Sequence, residues 1–256
     1  MFAPFKWEAY FSNFPVILMA FGKTIAISFL ALVLALLLGM IFGMFSVTRS
    51  PILRALNRIY VEAIQNVPLL LQVFVMYSVF PLIGIKISTF LIGVIAIGIY
   101  HGAYISEVVR SGISSIPNGQ FEAAKSQGFS YAQTMFQIIL PQAITIIMPP
   151  LAVQAANLIK NTSIMALVAG GELMYASNSF ANSTSYYGPA YVTAAVLYFI
   201  LCFPLSRLAL SLEKNRGRSR VKRVEYVNKA MTELDEDMKN AVAEEGVSTW
   251  ESSSRG

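Results

Sequence analysis

Apolar residues fall into long runs along the chain, separated by short polar or proline-rich intervals. The first run covers 16–47 and is interrupted mainly by Lys23, Thr24 and Ser28. It exceeds the ~20 residues that cross a bilayer, which predicts a span at about 24–45 with Lys23 reaching one surface. A second run at about 60–80 is interrupted by Pro68 and stopped at Pro81, and a third covers about 87–109. Pro149 and Pro150 are expected to break the chain before a fourth, shorter span at about 151–170. The polar stretch 177–188 then leads into a fifth span at about 189–212, with Pro204 as a kink. The pattern predicts an all-α polytopic membrane protein with five transmembrane helices and no internal repeat.

The interval between the third and fourth runs is too polar to join either. Residues 120–127 read as a short helix stopped by Gly128, the residue type that best tolerates a left-handed helix end. Ser130 opens a second short helix, with Gln133 three residues later completing a capping-box pattern, and Pro141 is expected to end it. Two short helices on a glycine hinge form a rigid knuckle pointing out of the membrane. An ordinary amphipathic loop is the plain alternative.

Composition and charge sharpen this picture. Of the 256 residues, 55% are hydrophobic and 13% charged, and the mean hydropathy is +0.59, which excludes a soluble domain. Through residue 212 there are ten Lys and Arg against five Asp and Glu, and from 213 to 256 nine of each. A sparsely charged membrane body, 1–212, therefore precedes a densely charged tail, 213–256. The tail opens on a basic run suited to anionic lipid headgroups, and nothing in it argues for nucleic acid. The single cysteine, Cys202, permits no intrachain disulfide. The N-terminus lacks a basic cluster and its aromatic residues suit a membrane interface, so the first span is expected to serve as its own insertion signal. Arg49, Arg54 and Arg58, placed in a loop, share one side with Arg110, Lys125 and the tail, whereas Lys6, Lys23 and Lys86 lie on the other. Excess Lys and Arg mark cytoplasmic loops. The N-terminus is thus expected outside, and the knuckle and C-terminus in the cytoplasm.

Several polar residues fall inside the apolar runs. Pro68 removes a backbone donor and frees a carbonyl, and Asn66 and Gln72 place amides near that break; broken helices with polar groups at depth are a common way to build a transport site. Gln154, Asn157 and Asn161 fall on one helical face at i, i+3 and i+7. Three amides are costly against lipid, so this face should look inward. Amides can hold a zwitterion, donating to its carboxylate and accepting from its ammonium, although amide bonding between helices is the alternative. Lys160 lies about 100° off that stripe and can pair with a carboxylate. Glu107 and Arg110, three apart, are expected to pair and fix the angle of the knuckle. His101 is the only histidine and reads as a hydrogen-bonded structural residue. Glu172 is expected in solvent at the outer surface. Gly22-Lys23-Thr24 lacks the earlier glycine of a phosphate-binding loop, since position 17 is Ile. No metal-ligand cluster or nucleophile motif offers an enzyme site.

Four signatures together resemble the permease subunits of ABC importers for polar amino acids. Glu122, Ala123, Ala124, Gly128, Ile138, Leu140 and Pro141 fill every fixed position of the EAA motif, through which such permeases dock on their ATPase. The run Asn66 to Gln72 is similar to the R-G-T-P-L-L-x-Q signature, with Gln65 where arginine is frequent. Residues 102–110 resemble the A-Y-x-x-E-x-x-R approach to the EAA loop. Lys160, Asn161, Thr162 and Ser163 resemble the K-D/N-T-S run of the substrate-lining span.

The resemblance implies a type I ABC-importer permease fold and a multi-pass protein of a bacterial cytoplasmic membrane. It also implies ABC ATPase subunits that bind ATP and Mg in place of this chain, a second permease subunit (identical or related) and an extracytoplasmic solute-binding protein. The chain would have no catalytic site or cofactor of its own. Asn161 in place of Asp argues against a basic cargo and favours glutamine or glutamate. A scaffold or sensor docking a cytoplasmic partner, and import of another small polar solute, remain the alternatives. The tail departs from the family pattern.

Overall fold

The structure is a computed structural model that describes residues 3–214; nearly all of the charged tail, at 215–256, lies outside the described residues. The described chain is helical. A short α1 (Pro4–Ser12) precedes α2 (Phe14–Val47), and α3 (Pro51–Gln65) is followed by α4 (Leu69–Ser78) and a turn of 3-10 helix, Pro81–Ile83. The next helices are α5 (Thr89–Ser114), α6 (Asn118–Ser126) and the one-turn α7 (Tyr131–Gln133). A π-helical segment, Thr134–Ile139, leads into α8 (Leu140–Asn161), which tightens into 3-10 helix over Thr162–Val168. α9 (Leu173–Thr184) and α10 (Tyr187–Lys214) complete the described chain.

Among the described residues four stretches are long and apolar enough to cross a membrane: α2, α5, the run Tyr131–Val168 and α10. The pair α3 and α4 makes a fifth if counted as one broken span, but its halves meet at 89°. The expected interruption at Pro68 is therefore a corner. Pro68 precedes the first residue of α4, where a missing amide hydrogen costs nothing. Arg54 and Arg58 belong to α3 and not to a loop, because Ser50 caps that helix by accepting from the Leu53 amide and Pro51 opens it.

α5 is the centre of the molecule, with 61% of its most apolar window buried, against 28% for α2 and 11% for α10. Its partner α2 approaches closely because glycines remove side chains from the seam. A Cβ on Gly39 would overlap Ile105, and one on Gly43 would stand 2.6 Å from Val109. On α5, Gly98 and Gly102 do the same against Leu34 and Leu38. Small residues of this kind replace a hydrophobic drive that lipid cannot supply. The main core extends along this seam through Ile27, Ala31, Ile97, Ile105 and Val109 to Ile147 and Met165. A second, smaller core joins α1, α2, α9 and α10 through Tyr10, Ile17, Leu173, Phe180 and Ala190.

Two expectations about proline fail. Pro141 does not end the second knuckle helix, and Pro149 and Pro150 do not break the chain: the helix runs through all three, from Tyr131 to Val168. Pro141 is the second residue of α8, directly after the π-helical segment Thr134–Ile139, so the change of hydrogen-bond pattern falls where its donor is missing. Pro149 and Pro150 lie inside α8; an apolar surrounding offers the backbone no better partner than the helix itself. The fourth span is consequently longer than 151–170.

Candidate functional site

The structure gathers most of the candidate residues into two places, the knuckle and a polar notch between α5 and α8. In the knuckle, α6 ends in a left-handed turn. Gly128 has φ +81°, its amide donates to Lys125 O at 3.0 Å, and the Phe129 amide donates to Ala124 O at 3.1 Å. The capping box forms in both directions. The Gln133 amide donates to Ser130 Oγ at 3.3 Å, and the Ser130 amide to Gln133 Oε1 at 2.9 Å.

Glu122 and Ala123 are exposed, whereas Ala124 is buried. Ile138 and Leu140 pack against the main core and Pro141 is exposed. The knuckle is braced from both sides. Tyr131 donates to Val47 O at 3.4 Å, the Arg49 guanidinium lies 5.4 Å from the Tyr131 ring centre, and Gln142 donates to Gln120 at 3.2 Å. A cavity of about 500 Å³ lined by Arg49, Glu122, Lys125, Tyr131 and Thr134 opens beside it.

Glu107 and Arg110 pair at 2.7 Å as expected. The bonds this pair makes stay within α5.

The notch is a cavity of about 260 Å³ lined by Tyr100, His101 and Tyr104 of α5 and by Gln154, Asn157, Lys160 and Asn161 of α8. The amide stripe therefore does face another helix and an opening. His101, 2% exposed, lies at its centre: Nδ1 is 3.3 Å from Gln154 Oε1 and Nε2 is 3.0 Å from Asn161 Nδ2. Lys160 Nζ donates to Asn157 Oδ1 at 3.4 Å, and the Tyr100 and Tyr104 hydroxyls are 3.2 Å apart. Lys160 also borders a second cavity of about 710 Å³ with Ser163, Asn178, Tyr191 and Tyr198.

The amides at the Pro68 corner lie elsewhere and are engaged with backbone. Gln72 donates to Ile64 O and Val67 O, both at 2.9 Å, and Asn66 to Glu62 O at 2.8 Å. Thr162 is buried. Its hydroxyl donates to Ile159 O at 2.7 Å and lies 3.3 Å from Tyr198 Oη.

Glu172 corrects the sequence reading most sharply, because it is fully buried. Its carboxylate caps α9, accepting from the Met174 and Tyr175 amides at 2.7 and 2.8 Å, and from Tyr198 Oη at 2.9 Å. Burial raises its pKa, and these three donors pull it back. Thr24 on α2 closes the same knot by accepting from the Leu173 amide at 3.0 Å.

Sequence reasoning left His101 outside the site because the residues it joins are 53 and 60 positions away. The one available signal was its place inside an apolar run, three residues before Tyr104. Among the described residues no group of three His, Cys, Asp or Glu could hold a metal ion.

Comparison with known proteins agrees with the architecture. Residues 35–218 match the family model for the binding-protein-dependent transport system inner membrane component. The chain is 42% identical over 209 residues to the probable glutamine ABC transporter permease protein GlnM of Bacillus subtilis, covering 82% of this chain and 97% of that one. It is 32% identical over 214 residues to the L-cystine transport system permease protein TcyB of the same organism, covering 83% and 92%. Among solved structures, an amino acid ABC transporter crystallised with histidines superposes with a TM-score of 0.75 at 27% identity, covering 82% of this chain and 98% of that chain. The inward-facing MetNI methionine ABC transporter, at 16% identity, shares the fold with a TM-score of 0.63 over 78% of this chain and 98% of that chain. The chain belongs to the family of binding-protein-dependent transport system inner membrane components, the permease subunits of ABC transporters.

Proposed function

We propose that this chain is the membrane-spanning subunit of an ATP-driven importer of a polar amino acid, with glutamine or glutamate the favoured cargo. The observation that carries this reading is the notch: three amides of α8 gathered with His101 around one cavity in the apolar body. Amide and ammonium donors beside amide acceptors suit a carboxylate and an ammonium on one small molecule. The names of the relatives point the same way, since GlnM is described as a glutamine permease. The notch contains no carboxylate, which disfavours a cationic cargo.

In this reading the Glu122–Pro141 knuckle receives a cytoplasmic ATPase, a binding protein delivers cargo from the opposite face, and a second permease completes the pathway. ATP and Mg belong to the ATPase. The N-terminus lies outside the cell, and the knuckle, with Arg49, Arg110 and Lys125 near it, lies in the cytoplasm. Its location is the bacterial cytoplasmic membrane.

The test is ATP-dependent uptake of radiolabelled glutamine in proteoliposomes holding the chain with its ATPase and binding protein, challenged by a panel of unlabelled amino acids. Competition by glutamine above arginine and lysine is expected. A cationic amino acid as best competitor, or absence of ATP-dependent uptake of every amino acid, would overturn the reading. Thiol labelling of Ser126→Cys should proceed only from the cytoplasmic face; labelling from outside reverses the topology.

A further inference from the structure

The histidine and the two amides it joins form a set of bonds in which ring and amides must agree: as placed they allow one arrangement of protons, and its reverse requires both amides to turn over together. Asn161 presents its amide nitrogen to His101 Nε2 at 3.0 Å. A primary amide nitrogen only donates, so Nε2 is the accepting nitrogen. The ring proton is then on Nδ1, which donates to Gln154 Oε1 at 3.3 Å. With the amides as placed, the other tautomer would set two donors against each other at Asn161 and two lone pairs against each other at Gln154.

This arrangement orients both side chains. Asn161 uses its nitrogen on the ring, so its Oδ1 is the group it offers to the cavity, an acceptor. Gln154 uses its oxygen, so its Nε2 is the group it offers, a donor. Asn157 has its Oδ1 occupied by Lys160 Nζ at 3.4 Å and likewise offers its amide nitrogen. Along α8 the notch thus runs from donors at Gln154 and Asn157 to an acceptor at Asn161, all bordering the same space. Without the ring, each amide could turn over, since its two ends differ little in shape.

We propose that His101 is a positioning residue that sets the polarity of the notch, fixing a carboxylate end at Gln154 and Asn157 and an ammonium end at Asn161. The ligand class is a small molecule carrying both groups, an α-amino acid, held by dipoles of fixed sense. This deepens the function proposed above and rests on it. The orientation of the ring bonds is a separate property that can be measured without any cargo.

His101 is the only histidine in the chain, so nitrogen-15 labelling of histidine in the nanodisc-embedded protein gives one imidazole to observe. The expected spectrum is that of a neutral ring protonated at Nδ1. Gln154→Leu should move chiefly the Nδ1 signal and Asn161→Leu chiefly the Nε2 signal. A ring protonated at Nε2 would overturn the proposal whatever the protein transports.

The transport arm uses the reconstituted importer with L-glutamine and with glutaramic acid, its analogue lacking the α-ammonium. His101→Leu should raise the KM for glutamine by about tenfold, the effect of one lost hydrogen bond near 1.4 kcal/mol. It should also lessen discrimination against glutaramic acid. His101→Gln places an acceptor near Nε2 and should retain that discrimination, whereas His101→Asn, with a group only at the Nδ1 position, should lose it.

Equal losses in all three variants, in proportion to their folded fraction by thermal unfolding, would reduce His101 to a packing role and overturn the proposal. So would a wild-type KM in His101→Leu. If the wild-type spectrum shows the Nδ1-protonated ring but no amino acid is taken up, the transport reading fails and the bond arrangement stands.

Discussion

Two polar clusters of the apolar body differ in what they leave over. The knot at Glu172 is closed: its carboxylate accepts from two backbone amides and Tyr198, and Thr24 takes the Leu173 amide. The notch at His101 is open: its ring bonds hold Gln154 and Asn161 by one end each, and a cavity of about 260 Å³ lies against the other ends. A buried polar group whose bonds are all internal fixes structure, whereas one bonded on one side and open on the other keeps an end available to a ligand. The comparison teaches that burial and polarity alone do not mark a site, and that what matters is the group left facing space.

Substitutions on the two sides should separate stability from transport. The largest effect is expected from Glu172→Ala, which strips the acceptor from three donors in a buried place and removes the cap of α9. Each buried donor left alone costs about 1–3 kcal/mol, of which water entry recovers part, so a net loss of roughly 3 kcal/mol is expected. Thermal unfolding in detergent measures it, and a midpoint within a degree of wild type would mean that the Glu172 bonds do not hold the fold.

Next in size is Asn161→Leu in the open notch, expected to raise the KM for uptake by about tenfold with little change in the unfolding midpoint. A large loss of stability there would make the notch another structural knot. The smallest effect is expected for Tyr198→Phe. It deletes one of the three donors to Glu172 and should cost about 1 kcal/mol; a loss as large as that of Glu172→Ala would mean that Tyr198 carries the knot alone.

Local features were legible in the sequence and distant pairings were not. The turn at Gly128 and the Ser130–Gln133 capping box depend on residues a few positions apart, and they form as read. The amide stripe of α8 follows from helical spacing, so its common face could be found, but the α5 partner that gives it purpose could not. Glu172 looked like a solvated charge because the hydroxyl that meets it is 26 residues away.

The prolines misled for another reason. Their reputation as breakers comes from helices in water, where freed carbonyls find solvent, while the interior of α8 carries Pro149 and Pro150 without interruption. Pro68 did mark a true discontinuity, yet a composition pattern has no means of giving its angle of 89°.

The glycine seam between α2 and α5 has a mechanical consequence. With Gly39 and Gly43 set directly against Ile105 and Val109, the two rods have no room to slide without lifting apart along their length. They make one plank. A rearrangement that keeps this packing must carry the two helices together.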